Sequence, residues 1–142
     1  MTTEYWYEQH VHFGDVDLGG GLYHPRYFDY FDRARIAALE ELGSPFDAML
    51  KAGAALVVAS ANIDYKKPVG FGQKVGISTS VARVSNKSFV CLQTLTADPT
   101  SRIIADERVY ARLEIVLVHV DLVRRVTTPL PPDLAERLRA SV

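Results

Sequence analysis

Residues 13–35 read FGDVDLGGGLYHPRYFDYFDRAR. Two aspartates, Asp15 and Asp17, stand two apart, glycines fill 19–21, and His24 and Pro25 lead into a run with helical spacing. Pro25 suits a first helical turn, where its missing N–H costs nothing. Tyr27, Phe28, Phe31, Ala34, Ala38 and Leu42 recur every three or four residues, the stripe of a helix that buries one face. Gly43 is a natural stop for that helix. One short stretch thus joins a carboxylate, a turn that tolerates unusual dihedrals and a helix start, with its unpaired N–H groups and partial positive charge.

Working outward, residues 5–13 predict a strand with Tyr5, Tyr7, Val11 and Phe13 on one parity and Glu8, His10 and His12 on the other. Beyond the long helix, Ser44 and Pro45 open a short helix that runs through about Lys51. The period then changes to two. In residues 55–65, Val57, Ala59, Ala61, Ile63 and Tyr65 alternate with mostly polar partners. Residues 74–84 and 88–97 are further strands. The longest runs over 103–122, with Ile103, Ala105, Val109, Ala111, Leu113, Ile115 and Leu117 facing one way. One face buried and one partly wet favours an antiparallel sheet. Residues 131–140, PPDLAERLRA, predict a short helix. A long helix with an apolar stripe must bury it, and the sheet is the large partner available. The expected architecture is α+β: an antiparallel five-stranded sheet curled around a long central helix, in a single domain over residues 1–142.

Composition narrows the function. The chain has 142 residues, 48% of them hydrophobic, and a net charge of −1, so it can bury a sizeable core and carries no basic footprint for nucleic acid. The single cysteine, Cys91, forms no internal disulfide and reads as a small core residue. The opening MTTEYWYEQH lacks a basic start followed by an apolar run, and AGAALVVASANI is too short to span a bilayer. These features predict a cytoplasmic protein without membrane insertion. Glu8, His10 and His12 share a strand face, but no further ligands follow at convincing spacing, so a metal site is not expected. There is no Gly-x-Ser-x-Gly elbow for a serine nucleophile.

The order of elements and the 13–35 stretch together resemble the hotdog-fold acyl-CoA thioesterases, in particular the 4-hydroxybenzoyl-CoA thioesterase family and its branch associated with the bacterial Tol–Pal envelope system. The likeness extends over nearly the whole chain. Asp-x-Asp-x-x-Gly before a helix carries it, with SAN at 60–62, KSFV at 87–90 and VDLVRRVTTPLP at 120–131 in support. The resemblance implies hydrolysis of an acyl-CoA thioester with Asp17 as the catalytic carboxylate, and no metal or other cofactor. A carboxylate either attacks the thioester carbonyl or activates a water. The N–H of His24, or one beside it, would hold the oxyanion. His24 itself is either a plain helix-start residue or a second contact to the thioester. Asp15 reads as structural.

Tyr23, in the aromatic run, is a candidate substrate contact. In the hydroxybenzoyl enzyme an aspartate at the place of Asp32 meets the ring hydroxyl of the substrate; the other reading of Asp32 is a solvated partner of Arg35. The same family has a basic cluster for coenzyme A phosphates at the place of Lys87. Here Ser85 and Asn86 thin that cluster, and Arg83 compensates; otherwise both cations simply protect a sheet edge. The aromatic-rich LYHPRYFDYF favours a compact or aromatic acyl group. Edge strands that need a partner, and the habit of the family, imply a homo-oligomer, a dimer or a tetramer. The rival from another class is a hotdog protein that binds acyl-CoA without cleaving it, since fold does not fix function.

Overall fold

Burial of the 27–42 stripe organises the molecule. The computed structural model describes residues 2–97 and 106–142. β1 (Glu4–His10) leads through a 3-10 turn at Phe13–Asp15 to α1 (His24–Leu42) and α2 (Phe46–Lys51). β2 (Ala54–Tyr65), β3 (Lys74–Val84), β4 (Ser88–Thr96), β5 (Val109–Asp121) and β6 (Val126–Thr127) follow, then α3 (Pro132–Ser141). The long strands pair antiparallel in the order β1-β3-β4-β5-β2, and β6 adds two residues to β5. This is the expected hotdog arrangement of five long strands around a helix. The sixth strand is too short to show a period in sequence.

Tyr27, Phe31, Ala34 and Ala38 of the expected stripe are buried, with Tyr30, Arg35 and Leu39 beside them. They meet Ile77, Phe89, Leu95, Leu113 and Ile115 from the inner face of the sheet. α1 ends where Gly43 turns into the left-handed region at φ 96°. The Gly43 N–H donates to Glu40 O at 3.0 Å and the Ser44 N–H to Leu39 O at 2.9 Å, which satisfies carbonyls the helix would leave open.

Three strand expectations need correction. β1 stops at His10, because the Asp15 N–H donates to His12 O and closes the 3-10 turn. Phe13 is therefore 79% exposed, and Gln9 takes the inward place. The strand expected from residue 103 begins at Val109, after a 3-10 turn at Asp106–Arg108; Ile103 and Ala105 lie outside the described residues. In β2 the inward parity changes. Leu56 opposes His119 and Val58 opposes Leu117, but after a register shift between Val58 and Ser60 it is Ala61, Ile63 and Tyr65 that oppose inward residues of β5. A bulge that inserts one residue reverses every side chain beyond it, so the regular alternation over 57–65 does not describe one face.

Phe31 and Phe13 test this core. Phe31→Ala should cost about 3–5 kcal/mol in urea unfolding, since Phe31 is fully buried. Phe13→Ala should stay within about 1 kcal/mol, as its ring neighbour Phe71 is itself exposed.

Candidate active site

The glycine turn is a small hairpin hung between the end of β1 and the start of α1. Val16 pairs with Leu22 across it. Inside, the Asp17 N–H donates to Gly21 O at 2.9 Å and the Gly20 N–H to Asp17 O at 3.1 Å. Asp17 Oδ1 accepts the Gly19 N–H at 2.9 Å and, more distantly, the Gly21 N–H at 3.4 Å. Asp17 Oδ2 takes no hydrogen bond among the described residues, and the side chain is exposed. One oxygen shapes the turn and the other is free.

A second loop supports the hairpin from outside. The Leu22 N–H donates to Val69 O at 2.7 Å, Gly21 bridges Gly70, and the Phe71 N–H reaches Gly20 O at 3.3 Å. The helix then starts at His24, after an extended Tyr23 whose side chain makes no cap. The Tyr23 N–H is used by Asp15 O at 2.8 Å, whereas no acceptor among the described residues takes the His24 N–H. Tyr23 and His24 are both exposed beside it. Asp17, Tyr23 and His24 thus lie together at one end of α1.

Asp15 serves a different purpose. Its Oδ2 accepts the Tyr30 hydroxyl at 2.6 Å, and its Oδ1 lies 3.7 Å from Arg26 Nε. Tyr30 is fully buried. Burial first, then the hydrogen bond to Asp15 and its charge, push the Tyr30 hydroxyl well above the ordinary tyrosine value.

Two aromatic residues complete this end without having been expected. Tyr65 stands with its ring 5.0 Å from that of Tyr27 and 6.4 Å from that of His24, and its hydroxyl donates to His24 O at 3.4 Å. Tyr27 is buried, and burial, with the nearby Tyr65 and Asp17 adding to it, raises its hydroxyl above the ordinary value. Tyr27 sits on the predicted stripe but read as plain core. Tyr65 stands on the alternating parity read in sequence, and what the sequence does not show is that the register of β2 brings it to the start of α1.

The remaining candidates lie elsewhere. Asp32 is two helical turns along α1 and pairs with Arg35. Arg83 and Lys87 are exposed at the turn between β3 and β4. β3 pairs with β1 beside His10 at its start and runs 11 residues to that turn, a span of roughly 35 Å. Within one chain, Lys87 is therefore far from Asp17. Glu8 pairs with Lys74 at 3.0 Å, and among the described residues no three His, Cys, Asp or Glu side chains are grouped to hold a metal. No helix is long and apolar enough to cross a membrane among those residues.

Residues 11–138 match the family described as the thioesterase-like superfamily. The chain belongs to that superfamily. Its relatives include the long-chain acyl-CoA thioesterase FadM of Escherichia coli, 28% identical over 89% of this chain and 91% of the relative. Among solved structures, a gentisyl-coenzyme A thioesterase is 26% identical with a TM-score of 0.79, covering 91% of this chain and 98% of that one. A 1,4-dihydroxy-2-naphthoyl-CoA thioesterase from Synechocystis superposes with a TM-score of 0.83 over 96% of each chain, at 20% identity, and speaks for the fold alone.

The Asp15–Tyr30 pair carries a pH signature. A tyrosine raised in the folded state keeps its proton there longer than in the unfolded chain, so its contribution to stability is complete below the unfolded pKa of about 10 and is lost as pH rises beyond it. Cys91, pushed up to about 12 by burial, acts in the same direction. Stability should fall as pH rises above about 9. Tyr30→Phe should cost about 1.5–3 kcal/mol at neutral pH and flatten that alkaline decline, as followed by denaturant unfolding at several pH values.

Proposed function

We propose that the chain hydrolyses small or aromatic acyl-CoA thioesters, such as 4-hydroxybenzoyl-CoA, with Asp17 as nucleophile or general base and the N–H of His24 as oxyanion donor. By family, and by relatives that span nearly its whole length, the chain is an acyl-CoA thioesterase. The observation that carries the assignment of residues is the free Asp17 Oδ2 beside an untaken helix-start N–H. A preorganised N–H aimed at developing negative charge needs no reorganisation during the reaction, and loss of one such donor costs about 2.7–4 kcal/mol of barrier. The nearby rings of Tyr23, His24, Tyr27 and Tyr65 support a compact acyl group. The reading includes a cytoplasmic location, to which the buried, unpaired Cys91 is suited.

The site in this reading is shared between two chains. β2 is one of the two edge strands of the sheet, β1 being the other, and its Val57 and Val58 are 42% and 53% exposed. Its Tyr65 end lies at His24, and its Ala54 end lies at Asp121 of β5, next to the His119 N–H that donates to Lys87 O. Two β2 edges joined antiparallel about a two-fold axis set the Asp17 end of one chain beside the Lys87 end of the other. Asp17 can then work on the thioester while Arg83 and Lys87 of the second chain face the coenzyme A phosphates. Light scattering at micromolar concentration should give at least twice the 15.8 kDa chain mass; a fully active monomer would refute the shared site.

Asp17→Asn tests the chemistry cleanly. Asparagine keeps an oxygen to accept the Gly19 N–H, so the turn should survive. Turnover on a panel of acyl-CoAs, read by thiol release, should fall by about 10² or more while acyl-CoA still binds. Asp15→Asn should mainly reduce stability, by loosening Tyr30. A folded Asp17→Asn protein with near-normal turnover would return the chain to the class of acyl-CoA binders.

A further inference from the structure

α1 starts without a cap of its own. The first N–H groups of a helix have no partner inside it, and a side chain ordinarily takes one of them. Here the extended Tyr23 makes no side-chain cap, Pro25 sits in the first turn, and the His24 N–H finds no acceptor among the described residues. An N–H left open in this way can serve a reaction, but the turn that carries it needs another brace. One brace is the Tyr23 N–H, which donates to Asp15 O at 2.8 Å. The other is Tyr65, the last residue of β2. Its hydroxyl donates to His24 O at 3.4 Å. Its ring stands edge to face against the imidazole of His24, at 6.4 Å and 82°, and against Tyr27, at 5.0 Å and 80°. Tyr65 thus meets the carbonyl and the ring of His24, and the ring of Tyr27 in the next turn of the helix.

The strand is built to aim this side chain. Leu56 and Val58 oppose the inward residues His119 and Leu117 of β5, and Tyr65 opposes the inward Ala111. Those positions differ in parity, so a regular strand with Leu56 and Val58 facing inward would turn Tyr65 to the outer face. The register shift between Val58 and Ser60 brings it back, a use that bulges commonly have beside reactive sites. Core packing alone is a poor reason for this arrangement, because Tyr65 remains 46% exposed while Tyr27 beside it is buried.

We propose that Tyr65 is a positioning residue: braced against Tyr27, its hydroxyl and ring hold His24 at the start of α1 and so keep the untaken His24 N–H aimed at the thioester oxygen. The inference rests on the thioesterase reading above, in which that N–H is the oxyanion donor. Tyr65 touches no reacting atom in this role and acts through His24. A donor aimed where charge develops is worth more in the transition state than in the bound substrate, and a misplacement of about 1 Å costs up to about 10² in rate. Loosening the brace should therefore lower kcat and leave KM nearly alone.

The test follows thiol release from the acyl-CoA that the wild-type protein cleaves fastest. Tyr65→Phe keeps the ring and removes the hydroxyl. It should lower kcat by about three- to tenfold, hold KM within about twofold and leave Tm near that of the wild type. Tyr65→Leu removes the ring contacts as well and should lower kcat by about 10²; the Phe variant carries the comparison if the Leu variant does not fold. A readout independent of activity is the backbone amide resonance of His24. It should shift in Tyr65→Phe, while the amide of Gly19, held by Asp17 Oδ1, stays in place. A wild-type kcat in Tyr65→Phe, a rise in KM that accounts for the whole loss, or an unmoved His24 amide would each overturn the role of Tyr65 while leaving the Asp17 assignment intact. Absence of thiol release from every acyl-CoA by the wild-type protein would instead overturn the thioesterase reading, and this inference with it.

Discussion

Asp15 ties together three pieces of chain that have no other reason to meet. Its N–H donates to His12 O and closes the turn that ends β1, its carbonyl accepts the N–H of Tyr23 at the helix start, and its carboxylate accepts the hydroxyl of the fully buried Tyr30. Tyr30 is locked into the core by the same packing that holds Phe31 and Ala34. The position of the glycine loop is thus referenced to the centre of the molecule rather than to its surface. Loops are ordinarily the variable part of a fold. Here a hydrogen bond to a charged acceptor, stronger than a neutral one, gives a loop the rigidity of the helix it precedes.

Asp17 lies in the same loop. One oxygen accepts the N–H groups that shape the glycine turn, and the other takes no hydrogen bond among the described residues. The turn in turn depends on Gly20, at φ 83°, in a region that side chains disfavour. Gly19 is constrained by contact: a Cβ there would lie 3.3 Å from Asp17 Oδ1. The glycines are therefore not slack between two elements. They let a carboxylate fold back on its own backbone while the following helix start keeps an N–H untaken.

What sequence could reveal follows the range of the forces involved. The extent of α1, its stop at Gly43 and the inward parity of Val109, Ala111, Leu113, Ile115 and Leu117 are set by local period and local dihedral preference, and all are found as read. The placing of Asp17 next to His24 is local too, since a short hairpin joins them. The β2 bulge is not local. It is defined by the register against β5, and it decides that Val58 and Tyr65, of opposite parity, both face α1. Arg35 fails for the same reason: a cation on an apolar stripe makes sense only once Gln93, 58 residues away, is seen beneath it. Lys87 is assigned to coenzyme A phosphates only by resemblance, and within the chain a strand length separates it from Asp17.

β2 then links the interior of the fold to its open edge. Its inward residues Leu56 and Val58 wall a cleft beside Asp32, while its outer edge has no strand beside it in the sheet. α1 packs chiefly over β1 and β3, and Val58 and Tyr65 of β2 stay about half exposed. The strand pairs with β5 along one edge, packs against α2 and touches α1 through Tyr65, while its other edge carries no strand. Pairing the edge with a second chain would restrict the same backbone that walls this cleft, at the bulge where its register is least regular. The wall of this cleft and the open edge of the sheet are thus two features of one strand, whose far end brings Tyr65 against His24 and Tyr27 at the start of α1.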